Sequence, residues 1–134
     1  MSIKVQNVSK LYGEQKALDQ VSFEVKAGEI VGFLGPNGAG KSTMMKIITA
    51  FLPATEGKVE VNGMDVNSEP LAIKSQIGYL AEQNPLYYDM YVKEYLNFTA
   101  GIYKINKVKE RIAEIIQLVG LEKEQHKKIG ALSK

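Results

Sequence analysis

The sequence predicts an α/β fold with antiparallel strands first, parallel strands at the centre and only helices toward the end. Three patterns support this prediction. Apolar and polar residues alternate at 3–5 and 21–25, continuous apolar runs occur at 30–34 and 77–80, and helical periodicity prevails from Tyr91. Alternation is typical of strands with one exposed face, whereas continuous runs are typical of parallel strands buried on both faces.

Between the two continuous runs, the sequence predicts a further strand and a short helix. Residues 57–61 alternate as a half-exposed strand does, and Asn62-Gly63 forms a tight turn after them. Ser68 is placed to cap a helix that ends near Ser75.

From Tyr91 the sequence predicts two helices, which we interpret as a separate helical lobe. Asn106 is expected to cap the second helix and Gly120 to end it. The chain is therefore divided into two partial domains, 1–84 with the strands and 85–134 with the helices. The apolar stripes of the two helices are expected at Val92, Tyr95, Leu96, Thr99 and Ile102, and at Val108, Ile112, Ile115, Ile116 and Val119.

The composition is that of an ordinary globular protein. The 134 residues are 45% hydrophobic and 24% charged, with a net charge of +2, which gives no sign of disorder or of a fibre. A mild basic cluster at 123–128 fits a solvated surface better than a nucleic-acid site. The lack of cysteine excludes disulfides and thiolate metal sites. We expect no nucleic-acid partner, membrane-spanning helix or signal peptide.

The most specific feature is a nine-residue stretch that fits the phosphate-loop pattern G-x-x-x-x-G-K-[ST]. It follows the run 30–34 and precedes a predicted helix that Pro53 ends, which is the context that the pattern requires. Glycines let the backbone turn tightly, so that several N–H groups point at phosphate oxygens. Lys41 is expected to contact the β- and γ-phosphates and the Ser42 hydroxyl to bind Mg²⁺, at the positive end of the helix. The nucleotide-binding residues are thus predicted to be Gly35, Pro36, Asn37, Gly38, Ala39, Gly40, Lys41, Ser42 and Thr43.

Three stretches, GPNGAGKST, the preceding LYG-x-x-x-A-L and the following IGYLAEQNPLY, resemble the ATP-binding subunits of ABC transporters. The resemblance extends over the whole chain and implies a P-loop NTPase fold with ATP and Mg²⁺ as cofactors. It implies that Tyr12 stacks on adenine and that Gln83, the family's Q-loop glutamine, is a second ligand of Mg²⁺. The stretches EQNPLY and ALSK are most similar to those of the family branch associated with gliding motility and multidrug or polymer export.

Two positions depart from the family pattern. Tyr91 stands where many relatives have a threonine that forms a capping box with a glutamate, here Glu94. Because a tyrosine cannot fold back onto a backbone N–H, Asp89 caps this helix instead, or the helix begins less firmly. Ala81 stands where relatives often have proline, so the stiffness of the backbone near Gln83 is in question.

The last residues resemble the start of the family's signature motif. Leu132-Ser133 match its first two positions, so we interpret the sequence as an N-terminal fragment of an ATP-binding cassette. In the family, the metal-binding acid and the water-positioning group follow the signature, so we expect no catalytic residue in this chain and no ATPase activity from it alone. Glu60, Asp65 and Glu82 are interpreted as solvated acids at strand ends, and His126 as a surface residue.

The resemblance implies an intact protein that hydrolyses ATP and couples this reaction to transmembrane transport. The implied partners are one or more membrane-spanning permease subunits and a second ATP-binding subunit in a head-to-tail dimer. The implied location is cytoplasmic, on the inner face of the cell membrane. Two alternatives remain at this stage: an ABC-type ATPase without a permease, and a non-hydrolysing, ATP-responsive interaction module.

Overall fold

The computed structural model describes residues 1–82 and 86–133. The chain divides into two compact units, Met1–Leu80 and Ala81–Lys134. The predicted domain boundary, between residues 84 and 85, lies outside the described residues. Within the described part of the chain, no helix is long and apolar enough to cross a membrane.

The first unit contains a four-stranded antiparallel sheet in the order β2-β1-β3-β4. Its strands are β1 (Ile3–Tyr12), β2 (Gln15–Val25), β3 (Glu56–Val61) and β4 (Met64–Asp65). The predicted antiparallel opening is confirmed. The first two strands are longer than the alternating pattern indicates, because register shifts interrupt that pattern while the ladder continues.

Three register shifts interrupt the ladder between β1 and β2. At two of them, a residue with a left-handed backbone is tied to a serine hydroxyl. Ser22 Oγ accepts a hydrogen bond from Asn7 N–H at 2.8 Å, and Ser9 Oγ accepts one from Gln20 N–H at 3.1 Å. The third shift leaves Ala17 as an extra residue on β2. Bulges bend a strand and increase its twist, so this one determines where the Ala17 backbone points.

One helix, α1 (Lys41–Ile48), packs on the sheet through its buried face, in which Met44 and Ile47 have no exposed surface. The helix ends before the predicted stop at Pro53, because Ala50 adopts a left-handed backbone with φ of 55°. A second helix, α2 (Pro70–Gln76), follows β4 and begins with proline rather than after a Ser68 cap. The core consists of Val5, Val8, Leu18, Met44, Ile47, Ile48, Val59, Val61, Val66 and Ile73.

The two continuous apolar runs, 30–34 and 77–80, are not strands in this structure. Ile30 is 102% exposed and Leu34 is 92% exposed. A strand requires a neighbouring segment that exchanges backbone hydrogen bonds with it, and no ladder among the described residues includes either run. The prediction of two buried parallel strands is corrected accordingly, whereas the α/β class is confirmed by the sheet and the helices.

The second unit contains two helices, α3 (Val92–Ile102) and α4 (Val108–Leu118), and a 3-10 turn at Ile129–Ala131. The segment before α3 lies alongside the segment before the 3-10 turn, and Val92 N–H donates to the Lys127 carbonyl at 3.1 Å. This unit is therefore closed by backbone hydrogen bonds between its beginning and its end.

The predicted apolar stripes of α3 and α4 are confirmed along most of each helix and wrong at their C-terminal ends. Val92 and Ile112 are buried, whereas Ile102 and Val119 are exposed. At about 100° per residue, a position ten residues after Val92 points about 80° away from it, which turns Ile102 toward solvent. Val119 lies just beyond α4, where Gly120 reverses the chain with φ of 70°, as predicted.

The starts of α3 and α4 differ from the predicted caps. The Glu94 carboxylate accepts the N–H of Tyr91, the residue before α3, at 3.1 Å. This bond satisfies the backbone at the helix start without a cap from Asp89. Lys107, not Asn106, directly precedes α4, and it has a left-handed backbone with φ of 52°.

Candidate functional site

The phosphate loop, residues 35–43, lies between the exposed run 30–34 and the first turn of α1. Its backbone forms a tight turn in which Ala39 N–H donates to the Pro36 carbonyl at 3.2 Å. Gly38 and Gly40 have φ angles of 83° and 81°. Only glycine adopts this left-handed region at little cost, so the loop has glycine at these two positions for a backbone reason.

Gly40 lies against β2 with no room for a side chain. A Cβ at this position would be 2.5 Å from the Ala17 carbonyl oxygen and 2.6 Å from Leu18 Cδ2. Ala17 is the extra residue of the third bulge, and Leu18 belongs to the core. The hairpin therefore fixes the point at which the loop becomes a helix. This support was not predicted from the sequence, because the contact joins residues far apart in the chain and depends on the bulge at Ala17.

The ammonium group of Lys41 folds back over the loop. Its Nζ donates to the carbonyl oxygens of Gly35 at 2.6 Å and Pro36 at 2.7 Å. These two bonds hold the positive charge beside the loop backbone rather than out in solvent. The side chain is accordingly only partly exposed.

The N-terminus of α1 adds further donors beside this charge. The N–H groups of Lys41, Ser42 and Thr43 have no backbone acceptor among residues 1–82 and 86–133, as expected for the first turn of a helix. No acidic residue lies in that turn, so the positive end of the helix dipole is not neutralised there. Amide donors, an ammonium group and the exposed Ser42 hydroxyl are thus together on one turn, which suits a polyphosphate.

Tyr12, the predicted adenine-stacking residue, lies on the same hairpin that supports Gly40. It ends β1 opposite Gln15, and Ala17 is two residues farther along β2, which is about 7 Å at the usual rise of a strand. Tyr12 is 49% exposed. The structure therefore brings Tyr12 and the phosphate loop to the same end of the hairpin.

The remaining candidates lie outside this site or are already engaged. Gln83, the second predicted metal ligand, lies outside the described residues. Glu60 forms an ion pair of 2.6 Å with Lys58, and Asp65 Oδ1 accepts two nearby backbone N–H groups. His126 is exposed, as predicted. Within the described parts of the chain, no group of three histidine, cysteine, aspartate or glutamate side chains could hold a metal ion.

The sequence of this chain is similar to that of known transporter components. Residues 18–134 match the family described as ABC transporter. The chain is 36% identical over 131 residues to the bacitracin transport ATP-binding protein BcrA of Bacillus licheniformis, covering 98% of this chain and 42% of the relative. It is also 36% identical over 124 residues to the sulfate/thiosulfate import ATP-binding protein CysA of Nephroselmis olivacea, covering 91% of this chain and 36% of the relative.

Solved structures show the same fold. The structure of an ATP-binding subunit of an ABC transporter superposes with a TM-score of 0.84 at 29% identity, covering 100% of this chain and 57% of the other. A dimeric ATP-binding cassette, MJ0796, bound to ADP and Pi after hydrolysis, gives a TM-score of 0.80 at 29% identity and covers 98% and 63% of the two chains. The chain thus spans less than two thirds of these proteins. Because the family match includes the loop and most of the sequence, the chain belongs to the ABC transporter family, and its fold is that of the ATP-binding cassette.

Proposed function

We propose that this chain is the ATP-binding part of an ABC transporter subunit and that residues 35–43 bind the phosphates of ATP. The observation that carries the proposal is the position of the Lys41 ammonium, which two loop carbonyls hold beside the first-turn N–H groups of α1. These N–H groups have no backbone acceptor in the part of the chain that the structure describes. In this assignment Lys41 contacts the β- and γ-phosphates, while the loop backbone surrounds them. The side chains of Pro36, Asn37 and Ala39 have no separate role, because the backbone supplies the donors.

The adenine and the metal are assigned to residues around the loop. We assign Tyr12 as the ring on which the base stacks, because its half-exposed ring lies about two strand residues from the contact between β2 and Gly40. We assign the Ser42 hydroxyl as a ligand of Mg²⁺, with Gln83 as a second ligand. Mg²⁺ bound there would neutralise part of the phosphate charge and fix the orientation of the phosphate chain.

Calorimetric titration with Mg-ATP tests the phosphate site. Lys41→Ala is expected to weaken binding by about tenfold or more, because a hydrogen-bonded ammonium contributes more than a neutral donor. Lys46→Ala, on the same helix but exposed and away from the loop, serves as the matched control and is expected to bind as the unaltered chain does. Equal affinities for the unaltered chain and the Lys41 variant would refute the site.

For the intact protein we propose ATP hydrolysis coupled to transport, a membrane-spanning permease and a second ATP-binding subunit as partners, and a location at the inner face of the membrane. The names of the relatives support the link to transport, and the dimeric cassette supports the pairing of two subunits. Co-purification of the intact protein with a membrane-spanning subunit, and loss of its ATPase activity with Lys41→Ala, would support the proposal. ATPase activity that survives Lys41→Ala would contradict it.

We further propose that the 134 residues alone bind ATP without hydrolysing it. Two acids at strand ends of the first unit have other contacts, Glu60 with Lys58 and Asp65 with backbone N–H groups. Neither carboxylate follows the signature motif at 132–133, whereas the family's water-positioning group does. Phosphate release by the purified chain is expected to equal that of its Lys41→Ala variant. Turnover by the chain that disappears in the variant would overturn this point.

A further inference from the structure

A lysine side chain covers one face of the Tyr12 ring. Lys10 and Tyr12 are two residues apart on β1, so their side chains lie on the same face of the strand. Lys10 Nζ lies 5.5 Å from the centroid of the Tyr12 ring, which is within the range of a cation–π interaction. The same Nζ donates to the carbonyl oxygen of Pro53 at 2.8 Å. The ammonium group is therefore held between the ring and the segment that follows α1.

We propose that Lys10 is a positioning residue for the base of the nucleotide: it orients the Tyr12 ring and leaves the opposite ring face for adenine. This inference rests on the proposed function of Tyr12. A half-exposed tyrosine on a strand can otherwise change its rotamer, and the ordering of its ring would oppose binding. An ammonium on one face also draws π electrons toward itself, which makes the other face less negative and better suited to stack on an electron-rich purine.

A direct role of Lys10 on the phosphates fits the structure less well. Its Nζ is directed to the Pro53 carbonyl and the tyrosine ring, whereas the loop already contains the Lys41 ammonium. Pro53 follows α1, so the bond from Lys10 also connects β1 to the chain beyond that helix. The two roles can be distinguished by measurement. If Lys10 positions the Tyr12 ring, its substitution weakens the binding only of ligands that contain a base, whereas a direct contact with the phosphates would affect all polyphosphates.

The test compares two ligands, Mg-ATP and Mg-tripolyphosphate, which share the phosphate chain but differ in the nucleoside. Lys10→Met is expected to weaken ATP binding by about two- to fivefold, the size of an exposed cation–π interaction, and to leave tripolyphosphate binding unchanged. Lys10→Arg, which keeps a cation over the ring, is expected to restore most of the ATP affinity. Lys4→Met, an exposed lysine on the same strand, is the control and is expected to change neither affinity.

A double-mutant cycle with Tyr12→Ala completes the test. Lys10→Met is expected to have no effect on ATP binding once the ring has been removed. Equal weakening of ATP and tripolyphosphate, or an undiminished effect in the Tyr12→Ala background, would overturn the inference. Thermal unfolding of each variant shows whether a loss of binding is caused by a loss of the folded structure. If the unaltered protein binds neither ligand, the proposed function itself fails. If the unaltered protein and the Lys10→Met variant bind ATP equally well, only the role of Lys10 is refuted.

Discussion

Two apolar segments flank the phosphate loop, and one of them is buried whereas the other is exposed. On the C-terminal side, Met44 and Ile47 of α1 have no exposed surface, whereas Ile30 and Leu34 on the N-terminal side are almost fully exposed. A helix satisfies its own backbone and needs only a surface to pack on, which the sheet provides. A parallel strand needs the backbone of a neighbour as well. The loop is therefore held by α1 and the hairpin, and not by the run that precedes it.

The largest loss of stability is expected on substitution of Met44, in the buried segment that follows the loop. Met44→Ala removes a fully buried side chain and is expected to lower the free energy of unfolding by about 2–5 kcal/mol. Met45→Ala, at the adjacent and 43% exposed position, is expected to cost less than about 1 kcal/mol. Urea unfolding measures both values. Similar costs for the two methionines would mean that α1 does not pack on the sheet through the face described.

The next largest loss of stability is expected at the two loop glycines with positive φ, where the cost of backbone strain can be separated from the cost of close packing. Gly38 and Gly40 have nearly the same φ, but only Gly40 lies against β2. Gly38→Ala is expected to cost about 1–2 kcal/mol, the strain of a left-handed residue. Gly40→Ala is expected to cost about 2–4 kcal/mol, because the overlap with Ala17 and Leu18 adds to that strain. Equal costs in thermal unfolding would show that the hairpin does not support the loop.

A smaller change in stability, a gain rather than a loss, is expected at the C-terminus of α1. Ala50 has a left-handed backbone, and Phe51 N–H donates to the Lys46 carbonyl at 2.8 Å, which is the pattern that usually has glycine. Ala50→Gly is expected to stabilise the protein by about 1 kcal/mol, because glycine relieves the strain. Thermal unfolding measures the gain. A loss of stability in this variant would contradict the description of this helix end.

The smallest effect is expected in the exposed run. Leu34→Thr is expected to change the free energy of unfolding by no more than about 0.5 kcal/mol, because the leucine contacts little else. The matched change Ile47→Thr, in the core, is expected to destabilise by about 2 kcal/mol or more. A loss of stability with Leu34→Thr as large as that with Ile47→Thr would remove the contrast between the two sides of the loop.

The parts of the fold that were predicted correctly are those encoded within a few residues. Gly38, Gly40 and Gly120 have backbone angles that few other residues adopt, so local sequence was sufficient to locate them. The run 30–34 was predicted incorrectly, because its strand character depends on a neighbour that no local pattern can reveal. The cap of α4 was missed for a related reason, since Asn106 has the propensity but Lys107 takes the position.

The candidate site shows the same division. The loop residues and the helix start were evident from the motif, and Tyr12 followed from the resemblance to the family. The support of Gly40 by Ala17 could not be predicted, because it joins residues far apart in sequence and depends on a bulge. The approach of Lys10 to Tyr12 is a side-chain geometry that strand alternation permits but does not require.

The central claim is that the loop backbone at the start of α1 binds the phosphates of ATP. The most direct test is an NMR titration of the isotope-labelled protein with Mg-ATP, following the amide resonances. Saturable shifts are expected, largest at Gly38, Gly40 and residues 41–43, and the Tyr12 resonance is expected to shift with Mg-ATP but not with Mg-tripolyphosphate. The largest shifts in the second unit, or none that saturate, would contradict it.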